Sequence, residues 1–227
     1  MRVAGLQKLT LLDYPGKLAC TVFLSGCNMR CPFCHNPDLV LGSPFELSMD
    51  SLLDFLAARK GKLEGVCITG GEPTIHPELP ALLHEIKRAG FCVKLDTNGT
   101  NPKMLRELLE QGLLDYAAMD IKNAPEHYAD SCGGMDFVKE VQESAEILMK
   151  GKTEYEFRTT VCAPMHNIER MEKIGQWLAG AKRYYLQQFV NSGNILGAGV
   201  TAVSSAEIEE MRRCLLPYIP SVKLRGI

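Results

Sequence analysis

Long apolar runs are missing from this 227-residue chain; none approaches the roughly 18 residues that a membrane-crossing helix needs. A basic excess is missing too. Lys and Arg number 25 against 27 Asp and Glu, a net charge of -2. That balance argues against a nucleic-acid or membrane-surface binder, since both concentrate positive charge. The opening residues carry Arg2, Lys8 and Asp13 without a continuous apolar stretch, so no secretion signal is expected. Cysteine is too sparse for a disulfide scaffold: nine residues make about 4 %, against the roughly 8–10 % of such chains. Their odd number, with no secretion signal, points to reduced thiols in a cytoplasmic protein. No linker, repeat or low-complexity tract divides the chain, so a single domain over residues 1–227 is expected, with residues 1–18 as a lead-in. A hydrophobic content of 46 % supplies a core and excludes intrinsic disorder.

What is present is alternation. Short apolar runs at 19–24, 65–69, 92–96, 116–121, 155–161 and 184–190 read as strands. Helical patterns follow them at 49–58, 78–89, 102–111, 137–149, 168–178 and 205–216. Ser48 is placed to cap the first helix, Pro102 opens the third, and Gly151 closes the fourth. Six strand–helix units predict an α/β fold with a parallel sheet, because parallel strands need a crossover that packs back on the sheet. Six units are two short of a complete eight-unit barrel, so an open doubly wound sheet and an incomplete barrel both fit. In either, ligands gather at the carboxyl ends of strands, and the unusual residues of this chain lie there.

The most unusual are Cys27, Cys31 and Cys34, a C-x3-C-x2-C spacing in one loop. Three thiols so close are satisfied together by a metal centre, because short spacing strains most disulfide pairings. Structural zinc takes four ligands, and the only nearby fourth, His35, adjoins Cys34, an awkward pair for one tetrahedral ion. An iron–sulfur cluster takes three protein ligands and leaves one iron open to an external ligand. Cys20, Cys67 and Cys92 lie in apolar runs and read as small buried hydrophobes, whereas Cys132, in a Gly-rich turn, is expected to be exposed. His84, His127 and His166 read as surface or capping residues, and Met29, Met104, Met135 and Met149 as gap-fillers or loop residues. Two further strand exits, Gly70-Gly71-Glu72-Pro73 and Asp96-Thr97-Asn98-Gly99, are ordinary turns when taken singly, and Asp120 with Lys122 is an ordinary ion pair.

Taken with the cysteine loop they are more. The loop with its aromatic Phe33 before the third cysteine resembles the radical S-adenosylmethionine (SAM) superfamily. Leu11–Lys17, Phe23–Asn28 and Cys31–Pro37 narrow the resemblance to activating enzymes of glycyl-radical enzymes, above all those serving anaerobic ribonucleoside-triphosphate reductase. It covers most of the chain, with the most specific motifs up to Lys122. It implies a partial (β/α)6 barrel and one [4Fe–4S] cluster on Cys27, Cys31 and Cys34, with SAM on the open iron. Reductive cleavage of SAM then gives a 5′-deoxyadenosyl radical that takes hydrogen from a partner's glycine. Phe33 is implied to lie against adenine. Gly70, Gly71, Glu72 and Pro73 are implied to receive the methionine ammonium, and Asp96, Thr97, Asn98, Asp120 and Lys122 to contact ribose and carboxylate. A monovalent cation is implied at Asp96, Thr97 and Asp120. Arg158, in an apolar strand, needs an anionic partner, either the SAM carboxylate or a carboxylate of the chain. One amide of Gln187-Gln188 is expected inside the barrel.

Between Cys34 and Gly70 lies only Cys67, so no ferredoxin-like insert is expected, and Cys214 alone follows Cys162, so no Cys-rich C-terminal domain. With one cluster the enzyme is expected to take electrons from a flavodoxin or ferredoxin. Two other functions fit parts of the pattern. A radical SAM enzyme acting on a small molecule, in cofactor or modified-nucleoside biosynthesis, shares every cofactor motif. A non-catalytic metal-binding or redox-sensing protein uses the three cysteines and leaves the strand-exit motifs without work.

Overall fold

Eight strands and eight α-helices are built from residues 1–42, 46–191 and 193–226, which the computed structural model describes. The strands are β1 (Val3–Thr10), β2 (Ala19–Leu24), β3 (Gly65–Gly70), β4 (Cys92–Thr97), β5 (Tyr116–Asp120), β6 (Glu154–Val161), β7 (Tyr184–Gln188) and β8 (Val222–Arg225). The helices are α1 (Pro37–Leu41), α2 (Met49–Arg59), α3 (Leu79–Arg88), α4 (Pro102–Glu110), α5 (Tyr128–Ser131), α6 (Val138–Lys150), α7 (Ile168–Trp177) and α8 (Ser205–Leu215). All six expected strand–helix units are present. The strand order in the sheet is the chain order, β1 to β8. No helix among the described residues is long and apolar enough to cross a membrane.

The chain divides into two compact units. The first comprises Met1–Asn28, Asp38–Thr97 and Asn101–Ala118. In it β2, β3 and β4 pair in parallel, with Cys20 opposite Val66 and Cys67 opposite Lys94. β2 and β3 read as nearly unbroken apolar runs because both faces are covered, whereas β4 carries Lys94 and Asp96. α3 supplies one cover through Leu79, Leu82, Leu83 and Ile86, spaced i, i+3, i+4, i+7 and buried together. Ser48 caps α2 by accepting from Ser51 N, and Asn101 caps α4 by accepting from Met104 N at 3.1 Å. β1 joins β2 antiparallel, so the lead-in is itself a strand. Its pattern gave little sign of this: Gly5 interrupts it and two register shifts break its alternation.

The second unit comprises Met29–Pro37, Asn98–Thr100 and Met119–Ile227. Here β6, β7 and β8 pair in parallel, Phe157 opposite Tyr184 and Tyr184 opposite Val222. Tyr128, Tyr155, Phe157, Leu186, Met171 and Ile174 form its buried interior. Ser204 and Glu207 make a reciprocal capping box at the start of α8. The four-residue β8 escaped the sequence reading because a strand so short has too few alternations to be told from a loop.

Candidate active site

In the first unit the glycine pair meets the chain that leads into the cysteine loop. Gly71 N donates to Leu24 O at 2.9 Å and Glu72 N donates to Gly26 O at 2.8 Å. A Cβ on Gly70 would lie 2.2 Å from Leu24 O, and one on Gly71 would lie 1.9 Å from Gly26 O. Gly70 also has φ +129°, which side chains with a Cβ rarely adopt. The glycines therefore let two strand exits lie against one another and fix the backbone immediately before Cys27.

Glu72 is fully buried. Its Oε1 accepts from Thr74 N at 3.0 Å, Thr74 Oγ1 at 2.5 Å and Thr97 Oγ1 at 2.7 Å. All three of these donors are neutral. Pro73 is buried and opens a single 3-10 turn that Glu72 caps. On the neighbouring strand Asp96 Oδ1 takes the ammonium of Lys94, which is 2 % exposed, and Cys67 Sγ lies 3.7 Å from the same oxygen.

The second unit holds the remainder of the cysteine loop. Cys34 N donates to Cys31 O at 3.0 Å, closing one tight turn around Pro32 and Phe33. Arg30 N donates to Cys132 O at 3.2 Å, and Gly197 N donates to Pro32 O at 2.8 Å. A Cβ on Gly133 would lie 2.8 Å from Arg30 O, so glycine admits the close approach of this second turn. Cys132, expected to be exposed, is fully buried for that reason. The hydrogen bond from its thiol brings Cys31 down to about 7, against burial and with the help of Lys122. Burial instead pushes the Cys34 thiol up.

Phe33 is buried edge-on to the His166 ring, with centroids 6.3 Å apart. His166 is not the surface or capping residue expected. It is 4 % exposed, accepts from Cys162 N at Nδ1 (3.1 Å), and places Nε2 2.9 Å from Lys122 O. That pattern assigns the neutral Nε2–H tautomer. Burial lowers its pKa to about 4. His35, the conceivable zinc ligand, stacks on Phe189 with centroids 5.1 Å apart.

At the end of β5, Asp120 Oδ2 accepts from Lys122 Nζ at 2.9 Å, and Oδ1 accepts from Arg158 Nε. Burial opposes the charge on Asp120, but Arg158 and Lys122 outweigh it and hold the carboxyl below its usual range. Burial likewise disfavours the Lys122 ammonium, and the Asp120 carboxylate more than restores it. Arg158 thus has a carboxylate partner from the chain itself. Asn98 Oδ1 accepts from Thr100 N at 3.0 Å and from Thr100 Oγ1 at 2.7 Å, which makes it the organiser of its turn. Gln188 donates to Val203 O at 2.6 Å, while its Oε1 is buried without a partner among the described residues.

Among the described residues the three loop cysteines form no disulfide. No group of three or more His, Cys, Asp or Glu among the described residues is arranged as a metal site. The donor chemistry nevertheless suits an iron–sulfur cluster: three thiols in one pinned loop, one with its thiolate favoured and a lysine near it, while His35 stacks on Phe189. Sequence reasoning missed Lys94, His166 and the burial of Cys132. A lysine between Val93 and Leu95 in an apolar strand was the one available signal.

Comparison with known proteins agrees with this constellation. Residues 21–178 match the profile of the radical SAM superfamily. The chain belongs to the radical SAM superfamily and is an enzyme of that class, with its α/β partial-barrel fold, one [4Fe–4S] cluster and SAM as cofactors. A protein of Methanocaldococcus jannaschii that carries the name glycyl-radical enzyme activating enzyme is 32 % identical, over 99 % of this chain and 96 % of its own. The 7-carboxy-7-deazaguanine synthase of Aquifex aeolicus is 31 % identical over 66 % of this chain and 70 % of its own. Among solved structures, Streptococcus suis SuiB bound to precursor peptide SuiA has a TM-score of 0.72 at 13 % identity, covering 91 % of this chain and 48 % of that one. At that identity the likeness concerns the fold alone.

Proposed function

We propose that this enzyme activates a glycyl-radical enzyme, with anaerobic ribonucleoside-triphosphate reductase as its partner, in the reducing cytoplasm. The observation that carries the reading is the end-to-end similarity to the M. jannaschii activating enzyme, which extends well outside the cofactor motifs. Cys27, Cys31 and Cys34 would hold the cluster, with a flavodoxin or ferredoxin as electron donor. When bound, it would supply the electron for reductive cleavage of SAM, the chemistry needed to take hydrogen from the partner's glycine.

The chain's own residues bind and orient SAM. Glu72, oriented by the Thr74 and Thr97 donors, receives the methionine ammonium beside the Gly70, Gly71 and Pro73 backbone. Lys122 receives the carboxylate. Asp120, which also accepts from Arg158, positions Lys122 by the ion pair between them. Phe33 lies against adenine, its ring fixed by His166. Asp96 and Thr97 face the ribose, and Asn98 shapes the turn that presents them. A second reading, a radical SAM enzyme acting on a small molecule, is favoured by the similarity to the deazaguanine synthase.

The test is reconstitution with iron and sulfide under anaerobic conditions, reduction, and addition of SAM with an anaerobic ribonucleotide reductase. A glycyl doublet in electron paramagnetic resonance, with 5′-deoxyadenosine in the same sample and neither with Cys31→Ala, is the expected result. Deoxyadenosine without a doublet removes this partner and moves the reading towards another glycyl-radical enzyme or a small molecule. A loaded cluster that yields neither product overturns the activase reading.

A further inference from the structure

The resemblance implies a monovalent cation among Asp96, Thr97 and Asp120, and the residues present do not fit one. Asp96 Oδ1 already receives an ammonium from Lys94. Thr97 Oγ1 donates to Glu72 Oε1 at 2.7 Å. Asp120 accepts from Arg158 on one oxygen and from Lys122, at 2.9 Å, on the other. Each group proposed for a mobile cation is therefore engaged by the chain.

Lys94 is the least expected of these partners. It is 2 % exposed, on a central parallel strand opposite Cys67, whose Sγ lies 3.8 Å from Nζ. Residues two apart on a strand share a face, so Lys94 and Asp96 stand side by side and the backbone itself delivers the ammonium. A buried ammonium persists only when paired. Like Na⁺ or K⁺ it carries one positive charge, and it offers that charge without having to be captured from solution.

We propose that Lys94 is the resident cation of this strand end: its ammonium holds the Asp96 carboxylate where Na⁺ or K⁺ would otherwise sit, and SAM binds without any monovalent metal ion. The inference rests on the SAM-binding reading above. Cluster-loaded protein is brought to equilibrium with labelled SAM in NaCl, KCl or choline chloride at one ionic strength. Wild type binds with the same Kd in all three, to within about twofold. Lys94→Met loses about tenfold or more in choline and regains affinity in Na⁺ or K⁺. A wild-type Kd that improves about tenfold when either metal ion replaces choline overturns the proposal.

Absence of SAM binding in every salt sinks the SAM reading instead, and thermal unfolding of the cluster-free protein then judges Lys94 by itself. Wild type melts at one temperature in the three salts, while Lys94→Met melts lower in choline and recovers in Na⁺ or K⁺. A wild-type melting point raised by more than about 3 °C by either metal ion overturns the proposal, as does a variant that melts like wild type in all three salts. If Lys94→Met fails to fold, the wild-type salt series still decides, and Lys94→Arg is expected to stay salt-independent.

Discussion

The two units treat the carboxylates near their strand ends in opposite ways. In the first, Glu72 accepts from a backbone N–H and two hydroxyls, and Asp96 takes the ammonium of Lys94. In the second, Asp120 lies between two cations. Neutral donors meet the carboxylate in the Glu72 corner, and cations meet it in the Asp120 corner. Neutral donors satisfy a carboxylate without cancelling it, whereas a second cation reverses the sign of the group. The comparison teaches that a carboxylate near a strand end is met by neutral donors or by cations according to the side chains that pack beside it.

The largest test of that comparison removes the ligand's anchor. Cys31→Ala should lose the cluster, so that iron content and visible absorbance after reconstitution fall to background, while Cys214→Ala, far along the chain, should keep both. Asp120→Asn comes next. It leaves Lys122 and Arg158 without their shared carboxylate, and denaturant unfolding should show a loss of about 3 kcal/mol. Equal stability of Asp120→Asn and wild type would mean that the second corner does not depend on that ion triad.

A third prediction concerns pH. The folded His166 ring titrates near 4, below its ordinary value of 6.5. As pH falls below about 6.5 the unfolded chain takes the proton first, so stability is complete above that point and declines until the folded ring titrates. The decline amounts to about 3 kcal/mol over that interval, and it should be absent from the pH profile of His166→Gln. The smallest effect belongs to Glu72→Gln, which keeps an acceptor for Thr74 and Thr97. Unfolding should change by less than about 1 kcal/mol, while SAM affinity in equilibrium dialysis falls about tenfold. Unchanged affinity would remove Glu72 as the ammonium partner.

The cysteine loop and the three strand-exit motifs stood out in the sequence because each is contiguous, and chemistry confined to a few neighbours in the chain survives without a fold. Cys132 was not. Its burial depends on Gly133 lying against Arg30, a contact across about a hundred residues that no local pattern records. His166 was missed for the same reason, since its partners Lys122 and Phe33 belong to distant segments. Arg158 was legible only as a need for an anion; the anion's identity, Asp120, awaited the structure.

The sequence by itself determined the alternation of strand and helix, the ligand chemistry of the loop and the strand ends at which polar residues collect, because periodicity and spacing are properties of the chain. Only the tertiary structure decided which charges meet. Parallel register placed Lys94 across from Cys67, and strand pleat turned it to the same face as Asp96. Whether a carboxylate meets neutral donors or cations depends on neighbours that become neighbours only when strands pair.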